Sequence, residues 1–163
     1  MNQTFDRIDR NILSALQRDG RMSNVTLAEA VHLSESACLR RVRQLEETGV
    51  IAGYVMLVDQ PSVGYPSDVF VQISLNRQQG EDLERFEQAV AEVPEIMECY
   101  LMTGECDYLV RVIAADARDF ERIHTQHLTR LPGVARVHSS FALRKVVKKT
   151  EVPVRDAGTP STR

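Results

Sequence analysis

The pattern of apolar positions in residues 6–49 predicts helices and no strands. Residues 6–17 form the first predicted helix, because their apolar side chains recur at the spacing of one helical face: Ile8, Ile12, Leu13 and Leu16. A second, short helix follows Ser23, and a third follows Ser34 and ends at Gly49. Serine is a residue type that caps helix N-termini, and glycine commonly ends a helix. The sequence therefore predicts three helices with a tight turn between the second and the third.

The pattern changes after Gly49. Residues 51–58 are mostly apolar and predict a strand, while Pro61, Gly64 and Pro66 predict a loop. We therefore expect a helical domain over residues 1–53, followed by a linker strand and hinge over residues 54–66.

A weak internal repeat starts at Ser67. Each copy predicts a strand, a helix that stops at a proline, and a second strand that begins two residues later, with Pro94 in the first copy and Pro132 in the second. Proline ends a helix because it lacks an N–H group and its ring clashes with the preceding turn. The order βαββαβ predicts an α+β, ferredoxin-like domain over residues 67–147. Residues 148–163 predict a C-terminal tail that is disordered beyond about residue 152.

The predicted sheet has one face without helices. In the strand over residues 107–114, Tyr108 and Val110 lie on one face, and Leu109 and Ile113 lie on the other, so both faces are largely apolar. Such strands are typical of sheets that are covered on both sides. Because both helices cover one face, we expect a second subunit on the other. The alternative is that the N-terminal domain folds back over it.

Composition limits the class of protein. The chain has 163 residues, of which 43% are hydrophobic and 26% are charged, as in globular proteins. No apolar run approaches the roughly 18 residues that span a bilayer, and the polar N-terminus predicts no signal peptide. The three cysteines are spread along the chain, which favours a reducing cytoplasm over a disulfide framework. The formal net charge of -3 predicts that any nucleic-acid site is a local patch.

The third predicted helix carries such a patch. Its apolar face holds Cys38, Val42 and Leu45, and its opposite face carries polar side chains: Ser36, Arg40, Arg43, Gln44 and Glu47. In a helix-turn-helix the second helix enters the major groove, where Ser and Gln reach base edges and Arg pairs with guanine or phosphate. An ordinary solvated helix face is the alternative. The residues expected to contact DNA are Ser34, Glu35, Ser36, Arg40, Arg41, Arg43 and Gln44.

Several stretches of the sequence resemble one known family. They are residues 6–13 (DRIDRNIL), 16–24 (LQRDGRMSN), 38–46 (CLRRVRQLE), 49–54 (GVIAGY) and, in the second domain, 103–109 (TGECDYL). Over about residues 5–150 the chain resembles the Lrp/AsnC (leucine-responsive, feast/famine) family of transcriptional regulators. The resemblance implies an N-terminal winged-type helix-turn-helix domain and a C-terminal ferredoxin-like effector domain. It also implies dimers that assemble further, up to octamers, and small amino acids as effectors.

Two positions depart from the pattern of that family. His32 stands in the turn before the third helix, where the family usually has glycine, and Ala37 stands where proline is often found. A non-glycine residue in a left-handed turn is strained, although histidine is among the better tolerated types.

The turn Thr103-Gly104-Glu105 lies between two predicted strands. Its residues alone are typical of a solvated hairpin turn, but the resemblance assigns this loop to effector binding. Carboxylates there can accept from an ammonium group, and backbone N–H groups near Gly104 can donate to a carboxylate. The expected effector site comprises Tyr100, Thr103, Gly104, Glu105, Asp107, Ser139 and Ser140.

The sequence predicts no catalytic or metal site and no cofactor. His124 and His127 lie three residues apart on one predicted helix, but no third ligand is indicated, and no C-x-x-C or phosphate-binding glycine pattern occurs. We therefore expect a non-enzymatic, amino-acid-responsive regulator that binds double-stranded DNA. One alternative is an amino-acid sensor or metabolic enzyme subunit that does not bind DNA. Another is RNA binding through Phe70 on the open sheet face.

Overall fold

The computed structural model describes residues 5–155. These residues divide into two units, one formed by residues 5–57 with residues 147–155, and the other by residues 58–146. None of the helices in the described part of the chain is long and apolar enough to cross a bilayer.

The N-terminal unit contains three helices: α1 (Arg7–Arg18), α2 (Asn24–Val31) and α3 (Glu35–Glu47). The predicted caps are confirmed, because the side chains of Ser23 and Ser34 accept hydrogen bonds from backbone N–H groups in the first turns of α2 and α3. The three helices bury a common core: Ile12, Leu13, Leu27, Ala28, Val31, Cys38, Val42 and Leu45. Residues 5–66 contain no strand, so the wing implied by the resemblance is absent from this stretch.

The second unit contains a four-stranded antiparallel sheet with two helices. The elements are β1 (Ser67–Leu75), α4 (Gly80–Ala91), β2 (Ile96–Leu101), β3 (Tyr108–Ala114), α5 (Ala117–Gln126) and β4 (Val134–Phe141). The strand order β2-β3-β1-β4 agrees with the predicted ferredoxin-like arrangement. As predicted, β2 and β4 begin two residues after Pro94 and Pro132.

The helix-facing side of the sheet forms the core of this unit. Alternate residues of β1 and β3 are almost fully buried there, with Phe86 from α4 and Ile123 from α5 packed against them. The rings of Phe86 and Tyr108 lie 4.4 Å apart between their centroids. Side chains at the intervening positions, such as Phe70 and Arg111, lie on the opposite face, as the alternation predicts.

Two predicted segments differ from the structure. Residues 51–58 form no hydrogen-bonded strand, and Val55, Met56 and Leu57 are 86%, 84% and 70% exposed. A strand needs a partner for its backbone groups, and none of the described residues pairs with this segment. Residues 148–155, predicted as part of a tail, pack within the N-terminal unit, and so does Val147, which was predicted to end the second domain. The rest of the predicted tail, residues 156–163, lies outside the described residues.

Candidate functional sites

The turn between α2 and α3 orients the helix predicted to contact DNA. His32 ends α2 in the left-handed conformation, with φ 57° and ψ 46°. Its backbone N–H donates to the carbonyls of Ala28 and Glu29, and the side-chain amide of Asn24 donates to the carbonyl of Glu35 at 2.9 Å. The hydrogen bond from Asn24 ties the start of α3 to α2. The left-handed residue expected between the two helices is therefore present, and it is histidine.

The exposed side of α3 forms a shallow basic concavity of about 440 Å³. Its lining residues are Ser36, Leu39, Arg40, Arg43, Gln44 and Glu47. Arg40 and Arg43 are exposed and make no hydrogen bond or ion pair within residues 5–155. Sequence analysis missed Leu39, which is 38% exposed in the middle of this face. An apolar side chain there suits contact with a thymine methyl group.

Arg41 differs from its neighbours on α3. Its guanidinium donates to Asp6 at 2.8 Å and to Asp9 at 2.7 Å, at the start of α1. These hydrogen bonds raise the pKa of Arg41, with the bond to Asp9 the larger cause. Arg41 was predicted to contact DNA, but its side chain instead joins α3 to α1. We therefore reassign it as a residue that positions α3.

The first three residues of the predicted DNA-contact set lie at the start of α3. Ser34 caps the helix, and its hydroxyl lies 3.3 Å from that of Ser36. Glu35 is exposed and is the acidic residue of the first turn. Because a helix N-terminus carries partial positive charge, these three residues lie where a phosphate oxygen would also be attracted.

The candidate effector loop is the turn that joins β2 to β3. Gly104 has φ 124°, which only glycine adopts easily, and a Cβ built there meets no atom within 4 Å. The backbone N–H groups of residues 103–106 make no hydrogen bond within the described residues. Glu105 is exposed at the tip of the turn. The turn therefore presents free backbone donors beside an exposed carboxylate.

Asp107 has a different arrangement from Glu105. One carboxylate oxygen accepts from the backbone N–H of Leu75 at 2.7 Å, and the other accepts from the side-chain amide of Gln78 at 2.6 Å. Its backbone N–H donates to the carbonyl of Ile73 at 3.0 Å. Asp107 therefore holds the turn against the end of β1. Sequence analysis predicted it as an acceptor for a ligand, and within this unit both of its oxygens already have partners.

The remaining predicted effector residues are not brought together. Tyr100 lies on β2 and Ser140 on β4, at opposite edges of the sheet, and three strand spacings separate them by roughly 14 Å. Ser139 pairs with Val71 and therefore points to the helix-facing side, away from Ser140. The Tyr100 hydroxyl donates to Glu98 at 3.0 Å, and this bond raises the pKa of Tyr100.

A charged network on the open sheet face was also missed by sequence analysis. Arg111 on β3 donates to Asp68 on β1 and to Glu98 on β2, each at 2.8 Å. Lys145 adds a second cation at 3.1 Å from Asp68. Burial raises the pKa of Asp68, but the hydrogen bonds from Lys145 and Arg111 outweigh it and leave that pKa below its ordinary value. The centre of this face therefore carries paired charges, with Phe70 and Leu109 beside them.

His124 lies in α5, and His127 directly follows it. The ring of His124 lies 6.1 Å from that of Phe120, and His127 ends the helix. Among residues 5–155, no group of three or more His, Cys, Asp or Glu side chains is arranged to hold a metal ion.

Both units match known domain families. Residues 5–46 match the AsnC-type helix-turn-helix domain, and residues 68–152 match the Lrp/AsnC ligand binding domain. The Bkd operon transcriptional regulator of Pseudomonas aeruginosa is 43% identical over 150 residues, covering 92% of this chain and 98% of that protein. The leucine-responsive regulatory protein of Escherichia coli is 40% identical over 151 residues, covering 93% of this chain and 92% of that protein.

Solved structures agree with these matches. A transcriptional regulator from Neisseria meningitidis in complex with L-Met has a TM-score of 0.87 and 37% identity, covering 92% of this chain and 97% of that one. An AsnC family regulator from Agrobacterium tumefaciens has the same TM-score and identity, covering 91% and 97%. A helix-turn-helix unit joined to such a ligand-binding unit defines a DNA-binding transcriptional regulator, not an enzyme. The chain belongs to the Lrp/AsnC family, which confirms the resemblance and the fold class predicted from the sequence.

Proposed function

We propose that this regulator binds duplex DNA through the exposed face of α3 as a homo-oligomer, and that a small amino acid bound at the β2–β3 turn modulates that binding. The observation that carries the DNA part is the pair of exposed guanidinium groups of Arg40 and Arg43 on the second helix of a helix-turn-helix, which make no hydrogen bond or ion pair within residues 5–155. The proposed contacts at the helix start are Ser34, Glu35 and Ser36, with Gln44 further along.

The two arginines suit the grooves of DNA for a physical reason. A guanidinium presents paired N–H donors that match guanine O6 and N7, or two phosphate oxygens. Arg41 is held by Asp6 and Asp9, which fixes α3 against the start of α1. Arg40 and Arg43 remain exposed on the other side of α3, where they can contact DNA. Leu39 and Gln44 lie on the same concave face and add apolar and amide contacts with base edges.

The proposed ligand is a neutral zwitterionic amino acid, the class to which the L-Met bound by the Neisseria relative belongs. Its carboxylate requires donors, which the N–H groups of residues 103–106 can supply, and its ammonium group requires an acceptor such as Glu105. Thr103 and Gly104 complete the turn. In this proposal Asp107 has a positioning role, because it holds the turn through Leu75 and Gln78.

Assembly of several copies is proposed from two apolar surfaces and from the spacing of the site residues. Residues 54–58 are exposed and apolar, and the open sheet face carries Phe70 at 42% exposure and Tyr100 at 53%. Surfaces of this kind mark protein–protein contacts. Tyr100 and Ser140 lie too far apart to bind one small ligand within a subunit, so a site that uses both requires a neighbouring copy, and Ser139 points away from such a site. We propose a dimer that assembles further, up to an octamer.

Light scattering on the purified protein tests the assembly. We expect the mass of a dimer or a larger multiple at micromolar concentration. A monomer at that concentration would contradict the proposal.

The DNA proposal is tested by selecting duplexes from a random pool with the purified protein. We expect enrichment of a roughly palindromic sequence whose half-sites lie about one helical turn, or a multiple of it, apart, because a symmetric dimer presents two copies of α3. Binding that is equally tight for every duplex would contradict sequence-specific regulation.

The ligand proposal is tested by thermal shift with each of the twenty amino acids, followed by calorimetry with those that stabilise the protein. Glu105→Gln should weaken binding about tenfold, because it removes one charged hydrogen bond. Glu121→Gln on the exposed surface of α5 is the matched control. Unchanged affinity in Glu105→Gln would remove this carboxylate from the ligand site.

A further inference from the structure

The C-terminal segment returns to the helix-turn-helix unit. The chain leaves that unit after Leu57, forms the whole ligand-binding unit, and re-enters it at Val147. We use the name C-terminal strap for residues 147–155. The sequence predicts a tail over residues 148–163 and contains no signal for this return.

The contact between the strap and α1 is specific in its hydrogen bonds. Ser14 donates to a carboxylate oxygen of Glu151 at 2.6 Å, and Arg18 donates to both oxygens at 3.2 and 3.3 Å. The side-chain amide of Gln17 pairs with the backbone of Val152 in both directions: it donates to the carbonyl at 3.1 Å and accepts from the N–H at 2.6 Å. The side-chain amide of Gln17 therefore makes the two hydrogen bonds with Val152 that the backbone of a neighbouring strand would make.

These three α1 residues form one recognition surface. Positions 14, 17 and 18 are spaced by three and four residues, so they lie on a single face of the helix. Beside them, Val154 packs against the core of the helical unit, and the strap closes one side of an apolar groove of about 880 Å³ that also includes Leu16 and Ile51. Residues 151–154 are therefore held at one end by hydrogen bonds to Glu151 and at the other by the apolar packing of Val154.

We propose that this face of α1 is a docking site for the chain's own C-terminal strap, and that docking gives the helix-turn-helix unit a second connection to the ligand-binding unit. The first connection is the segment after Leu57. The second begins at Lys145, which pairs with Asp68 in the sheet, and only residues 146–150 separate it from Glu151. A unit held by two connections has fewer orientations than a unit held by one.

The functional consequence rests on the proposed DNA binding. A preorganised pair of helix-turn-helix units loses less conformational entropy when it binds two half-sites. Release of the strap should therefore weaken binding to a selected duplex without changing any residue of α3. Only residues 142–146 separate the strap from the end of β4, so the strap offers a covalent route by which changes in the ligand-binding unit reach α1.

Hydrogen exchange followed by mass spectrometry on the full chain tests the docking. Ser14→Ala with Gln17→Ala changes no charge and places a strong helix former in α1, so the helix itself should persist. Val152→Pro is the second variant, because it removes the donating N–H from the strap and leaves α1 untouched. Gln88→Ala on the exposed surface of α4 is the control.

We expect amides of the strap to exchange about tenfold faster in both variants, corresponding to the loss of one or two hydrogen bonds, and at the wild-type rate in Gln88→Ala. A wild-type strap that already exchanges like an unstructured peptide would overturn the docking.

Affinity for a duplex selected with the wild-type protein should fall about three- to tenfold in the double variant. Unchanged affinity despite faster exchange would overturn the second-connection role. Failure of the wild-type protein to bind any duplex would refute the proposed function, while the exchange result would still decide the docking.

Discussion

Asp107 offers a sharp test of whether the candidate effector turn is organised as described. Asp107→Ala leaves the backbone N–H of Leu75 without its 2.7 Å acceptor and frees the amide of Gln78. Hydrogen bonds to charged groups contribute about 1.5–3 kcal/mol, and the one to Leu75 is half-buried. We therefore expect a loss of about 2 kcal/mol, a large part of the roughly 5–15 kcal/mol that stabilises a typical domain.

Urea unfolding followed by far-UV circular dichroism measures this loss. Asp107→Asn retains one carbonyl oxygen for the Leu75 N–H, so it should lose about half as much free energy of unfolding. Gln78→Ala removes an exposed partner only and should cost less than about 1 kcal/mol. Combining Gln78→Ala with Asp107→Ala should give less than the sum of the single losses, because the two side chains contact each other.

Wild-type stability of Asp107→Ala, together with loss of its response to an amino acid, would contradict the positioning role of Asp107. That result would assign the carboxylate to the ligand and not to the turn. Because Asp107 holds the turn through Leu75 and Gln78, Asp107→Ala disturbs the whole turn. Glu105 is exposed at the tip, so Glu105→Gln is the cleaner probe of ligand binding.

Two further predictions concern the N-terminal unit. His32→Val should lower the free energy of unfolding by about 1–2 kcal/mol, because a β-branched residue tolerates φ 57° poorly. The free energy of unfolding of His32→Gly should stay within about 1 kcal/mol of wild type, since relief of backbone strain and greater entropy of the unfolded chain oppose each other. Equal stability of the two variants in urea would contradict this account. Hydrogen bonds from Ser14 and Arg18 hold the pKa of Glu151 below its ordinary value of 4.5. The stabilisation is therefore complete above that unfolded-state value and is lost as pH falls through the lower folded-state value. We expect strap amides, corrected for intrinsic exchange, to lose protection below pH 4.5 in wild type but not in Glu151→Gln. The same pH dependence in both proteins would exclude this carboxylate as the cause.

Local signals in the sequence predicted most of the fold. Ser23 and Ser34 cap their helices as expected, because a cap depends on residues within one turn. Pro94 follows the end of α4 by three residues, as a local stop signal predicts, whereas α5 already ends at Gln126, six residues before Pro132. The alternation of β1 and β3 indicates which of their side chains are buried. The βαββαβ order then leaves few ways to arrange the strands.

The features that the sequence could not predict depend on residues far apart in the chain. The partner of Asp107 is the N–H of Leu75, 32 residues away, and Arg41 finds its carboxylates 32 and 35 residues away on α1. Arg41 was predicted to contact DNA together with its neighbours on α3, because a pattern along α3 could not reveal those acceptors. The contact between Glu151 and Ser14 spans 137 residues. Such pairs arise only when the elements meet, so a pattern read along one segment contains no signal for them.

The segment at residues 51–58 shows a different limit. Its apolar character favours a strand, but strand formation requires a second backbone, which none of the described residues provides. The pattern of one segment does not indicate whether such a partner exists.

The central claim is that α3 reads DNA through Arg40 and Arg43, and the salt dependence of binding tests it most directly. Affinity of the full chain for a selected duplex is measured at several salt concentrations in wild type, in Arg40→Ala with Arg43→Ala, and in Arg118→Ala on α5 as a control of equal charge type. Each arginine that contacts a base should contribute about 1–3 kcal/mol, and each that contacts phosphate should reduce the slope of log affinity against log salt by about 1. We expect affinity for the duplex to fall at least about tenfold in the double variant and to be unchanged in Arg118→Ala. Equal affinity and equal slope in the double variant and the wild type would contradict it.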